Sequence, residues 1–431
     1  MAAAVLAAVN VKGQFAGWEV AVKASEGRAP LRSEAVSYTT RRDAESGDRA
    51  KALYCKEIKL TRSGNLYTGM VDLPFQWRGR QVFLRVEGLP QFSVRFNDND
   101  VGRSHDSRVF SEFAVTDLVK EGGNSVSLVS EDGFGMQMES AAGATASTVR
   151  AVVMAQPMIC IEDYQARGGA EKAGLLNVAV ALHNATAGEE SFSVGYDLYS
   201  PEGKLLHYDL REVMLKARGR DTVRFSTAVK DAAAWSAGNP KLFRGVIYIK
   251  YAGSNVEYVP YTVGFVSNTF GWSVLRSDGG ITYKAARFNS EATPQATEER
   301  IVALRKSGIN LLCVDYPQPY WFYDICDRVG IYVVDQANIN AEADAGNPNI
   351  GGALSNDPRA VEFFTERVEA EQKRVAGHPC VVAWSLGGEC GQGYNMYMAY
   401  RALKATGDTR PVLYRGAHGE WNSDLEFLFP K

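Results

Sequence analysis

Two successive stretches of short, alternating strands, then a stretch where helices alternate with apolar runs, predict a multidomain chain: a jelly-roll β-sandwich, an immunoglobulin-like β-sandwich and a partial (β/α)8 TIM barrel. Length supports this, because 431 residues exceed what one ordinary core organises.

The first 50 residues form an N-terminal segment expected to be partly irregular. Met1 to Val9 is small and apolar, yet it has no basic region before it and no clear cleavage site, so it is no convincing signal peptide. It reads as the remnant of one or as a first strand, and the compartment stays open. Over 51–153, Val82-Leu84-Val86, Phe92-Val94-Phe96 and Val126-Leu128 place apolar residues at every second position. Turn signals at Asn97-Asp98-Asn99-Asp100 and Glu121-Gly122-Gly123-Asn124 separate these runs, which predicts an antiparallel sandwich of the jelly-roll kind. Over 154–267 the same pattern recurs in Leu176-Val178-Val180-Leu182, Phe192-Val194-Tyr196-Leu198 and Val246-Tyr248, with a turn at Ser200-Pro201-Glu202-Gly203. This length suits an immunoglobulin-like sandwich.

From 268 to 431 the period changes. Helices are expected over Thr297–Lys306, Trp321–Val329 and Asp357–Ala376. The last has Asp357 as N-cap, Pro358 in its first turn and Gly377 as its stop, with Val361, Phe364, Val368 and Val375 on one face. Strands are expected at Ile281–Ala285, Ile309–Val314, Ile331–Asp335, Cys380–Leu386, Pro411–Tyr414 and Leu425–Phe429, about six in all. A closed barrel of this type needs eight, so the chain is expected to stop inside its last domain.

Bulk chemistry removes several function classes. A formal net charge of −3 with scattered basic residues leaves no footprint for nucleic acid. The six cysteines form no CxxC pair, and the five histidines never fall at helical ligand spacing, so neither a disulfide framework nor a zinc site is expected. No run reaches the roughly 18 apolar residues of a membrane span. The oligomeric state is not legible.

The stretch with most chemical content is Ala383-Trp384-Ser385-Leu386-Gly387-Gly388-Glu389-Cys390-Gly391. It sets one carboxylate, Glu389, at the end of a buried strand against glycines, as barrel enzymes present catalytic groups. Read alone, Glu389 is equally a solvated loop acid. Asp315 and Glu342 are further acids at strand mouths, able to form a pocket or to face solvent. Asp335 and Asn338 close a strand, where a structural role competes with a binding one. Tyr316 and Tyr320 are candidates for stacking on a sugar ring, while Asp106, Arg108 and Asn97 fit turn and strand-edge roles equally well. Cys390 has no histidine partner in view and reads as packing.

Residues spread over nearly the whole chain after about position 50 resemble glycoside hydrolase family 2, the β-galactosidase and β-glucuronidase group. In the first module these are Val82 to Gly88, Phe96-Asn97, Val101-Gly102, Ser107-Arg108, Glu112-Phe113 and Thr116-Asp117. In the second they are Trp235-Ser236-Ala237, Asn239-Pro240-Lys241-Leu242-Phe243 and Val263-Gly264-Phe265. The third carries Tyr316-Pro317, Cys326-Asp327-Arg328, Gly330 to Asp335, Ala337-Asn338-Ile339, His378-Pro379 and Trp384-Ser385-Leu386-Gly387.

The resemblance implies retaining hydrolysis of a β-glycoside by two carboxylates, with Glu389 at the acid/base position and the nucleophile on a later strand that the chain is expected not to reach. It implies a carbohydrate partner, for which Asp315, Tyr316, Asn338, Gly388 and Trp384 are the binding candidates. Departures cluster at the pocket. Gly388 stands where the family writes the asparagine that hydrogen-bonds the sugar. Val314-Asp315 replaces Ser-His, and Gln336 replaces a glutamate. The glutamate and histidine that bind magnesium in β-galactosidases align with Asn340 and Glu342, so that metal is not expected in that form and no cofactor is. A buried hydrogen bond to a substrate hydroxyl contributes about 1–3 kcal/mol, so several such losses would cripple an ordinary galactosidase. The alternative is therefore a non-catalytic pseudoenzyme that keeps the scaffold for carbohydrate binding or protein assembly.

Overall fold

A computed structural model describes residues 22–33, 36–52, 55–141, 143–170, 174–341, 353–388 and 390–430. Glu389 and Glu342 lie outside the described residues.

The first unit follows a short helix, α1 (Arg41–Ser46), which is capped by the Thr40 side chain. Its strands are β1 (Cys55–Ile58), β2 (Thr61–Ser63), β3 (Leu66–Leu73), β4 (Gln81–Glu87), β5 (Gln91–Phe96), β6 (Asn99–His105), β7 (Ser111–Ala114), β8 (Gly122–Ser130) and β9 (Arg150–Gln156), with α2 (Phe134–Met138) between the last two. They form two sheets, ordered β1-β9-β4-β7 and β2-β3-β8-β5-β6. Alternation along β4 and β5 sends Val82, Leu84, Val86, Phe92, Val94 and Phe96 into one core between the sheets. Asn97 and Asp98 both adopt positive φ, 49° and 66°, the conformation of the tight turn that joins β5 to β6.

The second unit repeats this plan with β10 (Ile159–Gly169), β11 (Leu175–Asn184), β12 (Glu190–Tyr199), β13 (Leu205–Leu215), β14 (Arg220–Ala228), β15 (Phe243–Tyr251), β16 (Ser254–Val263) and β17 (Phe265–Val266). Its sheets, β14-β11-β10-β17 and β13-β12-β15-β16, enclose a separate core that includes Val178, Val180, Tyr196, Phe225 and Ile247.

The third unit contains α3 (Phe270–Arg276), β18 (Ala285–Arg287), α4 (Pro294–Lys306), β19 (Leu311–Cys313), α5 (Tyr320–Val329), β20 (Tyr332–Gln336), α6 (Val361–Val375), β21 (Val381–Ser385), α7 (Tyr394–Ala405) and β22 (Val412–Leu413). All neighbouring strand pairs are parallel and follow chain order, β18-β19-β20-β21-β22. Every residue of β19, β20, β21 and β22 is buried, which explains why these segments read as continuous apolar runs. Helix α4 starts at Pro294 behind a Thr293 cap, while Asp357 caps a short 3₁₀ turn over Pro358–Ala360 that leads into α6.

Two strand expectations need correction. The first strand forms at Ala285–Arg287, at the end of the run expected to pair, because Ala285 to Arg287 align with Leu311 to Cys313. Leu425–Phe429 forms no strand, so the described residues contain five strands of this sheet where about six were expected. The reason lies in Asp424. Its N–H donates to Val412 O at 2.7 Å and its carboxylate accepts from Val412 N at 2.8 Å and Tyr400 Oη at 2.6 Å, so the chain turns across β22. Beyond it Phe427 packs on Tyr283, ahead of β18, with ring centroids 5.9 Å apart, and on Phe429 at 4.9 Å. These rings cover apolar surface between the first and last described strands.

Trp235 ties the second unit to the third. It is buried, donates from Nε1 to Asp327 O at 3.0 Å and packs edge-on against Phe270 and Tyr332.

Candidate functional site

A parallel sheet presents the C-terminal ends of its strands at one edge, where this architecture gathers polar groups. Here those ends are linked side chain to side chain. Asp315, two residues beyond β19, accepts from Arg287 Nε at 2.7 and 2.8 Å and from Asn289 Nδ2 at 2.7 Å. Arg287 ends β18, and Gln336 ends β20. Gln336 Nε2 donates to the Asp315 carbonyl and to Asn340 Oδ1 at 3.2 Å, while Asn340 Nδ2 reaches the same Asp315 carbonyl at 3.1 Å. Ser385, the last residue of β21, lies 3.4 Å from Gln336 Oε1. Gln318 closes the ring by donating to Asn289 Oδ1 at 3.2 Å. Four successive strands thus share one polar cluster.

Gly388 sits against this cluster, with its N–H donating to Ile339 O at 2.9 Å. A Cβ at this position would lie 2.3 Å from Asn340 Oδ1. The Asn340 amide therefore occupies the space that a side chain at 388 would need, and it enters from the β20 side of the mouth.

The first unit supplies the opposite wall. Arg108 stacks its guanidinium over the Tyr316 ring at 3.8 Å, and donates to Ala144 O at 2.9 Å and Thr145 O at 3.1 Å. Asp106, in a positive-φ conformation of 88°, accepts from Arg108 N at 2.9 Å and from Asn338 Nδ2 at 3.0 Å. Behind it lies a fully buried ion pair, Arg367 Nη2 to Glu139 Oε1 at 3.0 Å. Arg367 also donates to His105 Nδ1 at 3.1 Å, to Gly135 O at 3.3 Å and to the Asn338 carbonyl. With Nδ1 accepting, the His105 proton sits on Nε2 and faces Glu366 at 3.3 Å. Burial, reinforced by Arg367, pushes His105 down to about 4 despite Glu366, so the ring is neutral at pH 7.

The sequence candidates separate into three groups. Asp315, Tyr316, Gly388 and Asn340 converge at the mouth. Asn338 and Trp384 are both buried, so neither lies on the open surface of the mouth. Asn338 donates from Nδ2 to Asp106 and accepts from Arg367 at its main-chain carbonyl, while its Oδ1 has no hydrogen-bond partner among the described residues. Trp384 is 1% exposed and lies under the Arg410 guanidinium at 4.5 Å, and Arg410 bonds Ala376 O and Val381 O at the starting end of β21. Its ring is core packing, and its Nε1 has no hydrogen-bond partner among the described residues. Tyr320 stands 4.9 Å from the His378 ring, apart from Tyr316, and Asn97 bonds Leu118 O and Asn124 as a turn residue. Asp335 faces the helices, accepting from Tyr323 Oη at 2.6 Å. Burial raises both Asp335 and its neighbour Glu371 above the usual carboxyl range.

Sequence reasoning missed Arg287, Glu139 and Arg367. The signal for Arg367 was present: a cation on α6 sits among Phe363, Phe364 and Ala370, on the stripe that α6 buries. Magnesium fits poorly at Asn340. Asn340 brings a neutral amide whose oxygen already accepts from Gln336 and whose nitrogen points at Asp315 O, whereas magnesium binds through carboxylates and water.

Two units of paired β-sheets followed by a parallel strand–helix unit, with a polar cluster at its strand ends walled by the first unit, define a multidomain, β-rich scaffold. Comparison with known proteins makes this specific. The family model "Glycosyl hydrolases family 2, TIM barrel domain" matches residues 292–428, and "Glycosyl hydrolases family 2" matches 159–265, together more than half of the chain. The chain belongs to glycoside hydrolase family 2. It is 27% identical over 351 residues to a β-galactosidase of Yersinia enterocolitica, covering 75% of this chain and 33% of that protein. Against a β-galactosidase of Vibrio cholerae it is 27% identical over 347 residues, with the same coverage. The chain thus spans about a third of the length of these curated relatives. Among solved structures, a Bacteroides uniformis β-glucuronidase superposes with a TM-score of 0.66 at 13% identity, covering 90% of this chain and 52% of that one. A family 2 member from Bacteroides cellulosilyticus gives 0.63 at 16%, covering 81% and 47%. At such identities these structures speak for the fold alone.

Proposed function

We infer that the chain carries the acid/base half of a retaining β-glycosidase site, with Glu389 as the residue that protonates the leaving glycosidic oxygen. The observation that carries this reading is the polar cluster at the ends of β18 to β21, because Glu389 follows Gly388, which lies against that cluster. In this reading the three units are a jelly roll (51–153), an immunoglobulin-like sandwich (154–267) and the first part of a (β/α)8 barrel (268–431), behind an N-terminal segment of 1–50.

Mechanistically, a carboxylic acid at 389 would give its proton to the departing oxygen, and a second carboxylate about 5 Å away would attack the anomeric carbon. Asp315 is a poor choice for that second role. Its carboxylate is held by Arg287 and Asn289, and charge-assisted bonds of that kind lower nucleophilicity. Its place is to position Gln336 and Asn340 and to meet sugar hydroxyls beside Tyr316. The substrate class is a terminal β-linked sugar. The test is hydrolysis of aryl β-galactosides and β-glucuronides by the complete protein, with Glu389→Gln beside it. Loss of turnover that returns with an activated leaving group, which needs no proton, supports the assignment; unchanged turnover on an unactivated substrate sinks it.

The same cluster favours a second reading, a carbohydrate-binding protein without catalysis, since its polar groups already satisfy one another. In that case calorimetric titration detects a sugar while no aryl β-glycoside is cleaved.

A further inference from the structure

Strand β13 is an edge strand, paired only with β12 among the described residues, and it is long at 11 residues. Edges of this length are ordinarily blunted by charge, proline or a covering segment. This strand carries Asp209, Arg211 and Glu212 and a register shift near Leu205, yet it also exposes an apolar face. Of the 14 large apolar side chains exposed on the described surface, five belong to this strand: Leu205, Leu206, Tyr208, Leu210 and Met214. Tyr208 and Met214 are each 68% exposed. Alternation puts Tyr208, Leu210 and Met214 together on the outward face, beside the small outward face of β12 at Ser191, Ser193 and Gly195. Elsewhere this face of the sheet is covered: Tyr38 and Ala44 of the N-terminal segment pack on Val246 and Tyr258. The cover stops short of β13.

We propose that β13 pairs antiparallel with β13 of a second copy of this chain, joining two four-stranded sheets across a two-fold axis at Leu210. The argument rests on register. A two-fold axis perpendicular to a sheet keeps each side chain on its own face, so a residue must sit opposite itself at the centre. Centring on Asp209 or on Arg211 would set two like charges face to face. Centring on Leu210 places Asp209 opposite Arg211 of the partner, twice over, and Tyr208 opposite Glu212. It also overlaps the regular stretch from His207 to Val213 in full, before the register with β12 shifts between His207 and Leu205. Charge matching and overlap of the regular stretch select the same alignment. An antiparallel pair of that length makes roughly six main-chain hydrogen bonds, within the range a protein interface carries. The pair of charges is already poised: Asp209 and Arg211 lie 3.6 Å apart within one chain, with Arg211 fixed by Arg224 O at 2.8 Å.

The experiment is sedimentation velocity on the 431-residue chain at micromolar concentration, alone and as Leu210→Lys. The expected species has twice the 47.1 kDa chain mass and falls to the chain mass in Leu210→Lys, whose two ammonium groups would face each other across the axis. Single-chain mass for the unaltered protein, or a dimer that survives Leu210→Lys, overturns the proposal. A second measurement does not depend on that variant folding. In a Cys55→Ser background, which removes the exposed native thiol, Leu210→Cys should give a disulfide-linked dimer under mild oxidation. Tyr208→Cys should not, because it meets Glu212. Equal cross-linking at both positions, or none at 210, counts against the register.

Discussion

Gly388 and Asn340 make a quantitative prediction, because one occupies space that the other forbids. Replacing Gly388 with alanine adds a single carbon 2.3 Å from Asn340 Oδ1, whereas ordinary contacts of that kind begin near 3.4 Å. The amide must therefore retreat by roughly 1 Å, since neither group is compressible on that scale. Retreat breaks the 3.2 Å bond from Gln336 Nε2 and strains the 3.1 Å bond to Asp315 O. Each contributes about 0.5–1.5 kcal/mol net, so Gly388→Ala should cost about 1–3 kcal/mol. Backbone strain adds nothing, as Gly388 does not adopt positive φ. In an Asn340→Ala background the obstacle is gone, and the same substitution should cost less than about 0.5 kcal/mol. Equilibrium urea unfolding of the four proteins gives the coupling energy directly. Equal cost in both backgrounds would falsify the account, because it would mean that the amide does not fill the space at 388.

Three further outcomes follow from buried charged contacts. Glu139→Gln should destabilise the chain by about 3–5 kcal/mol, since it leaves the buried Arg367 guanidinium without its anion, and limited proteolysis should then cut first between the first unit and α6. Burial alone would raise Glu112, but the Arg32 and Arg85 guanidiniums outweigh it and hold the carboxyl at about 2, below its usual 4.5. A depressed carboxyl contributes stability that is present above pH 4.5 and lost as pH falls toward 2. The loss is on the order of 3 kcal/mol, and unfolding of Glu112→Gln against pH should lack that acid limb. His378 runs the other way: burial lowers its pKa, yet Asp327 at 2.6 Å raises it above the usual 6.5. Its stabilisation is full below pH 6.5 and disappears as pH climbs through the raised value, and an imidazole NMR titration that stays at or below 6.5 would contradict the pairing.

How much was legible in the sequence follows from where the information resides. The alternating strands were readable because Leu84 and Phe92 sit in period-two runs whose burial is decided locally by face. α6 was readable from Asp357, Pro358 and its apolar stripe. The strand at Leu425–Phe429 was misread because its apolar alternation is real but its pairing is blocked by Asp424, a contact with no local signature. The burial of Trp384 and Asn338 was not legible for a related reason. Position in a motif gives distance from a strand end, but not the face of the sheet on which a side chain falls. Arg410 and Asp106, far away in sequence, decide that.

The two ends of the parallel sheet hold their polar groups in different ways. Trp235, Asp327, His378 and Cys380 form one chain of contacts at the starting ends of the strands: Trp235 Nε1 to Asp327 O, Asp327 to His378, and Cys380 N to Asp327 Oδ1 at 2.8 Å. Asp327 is the hub: removing its carboxylate would leave His378 Nδ1 and Cys380 N without their partner, at about 1–3 kcal/mol each. At the opposite ends the cluster is redundant. Asp315 is held by Arg287 and by Asn289, its carbonyl by Gln336 and by Asn340, so one partner can change while another compensates. A sugar hydroxyl entering there exchanges one hydrogen bond for another instead of filling an empty one. The net gain per hydroxyl is then small, and in the proposed glycosidase reading recognition would rest on the ring face of Tyr316 under Arg108 and on the Glu389 carboxylate.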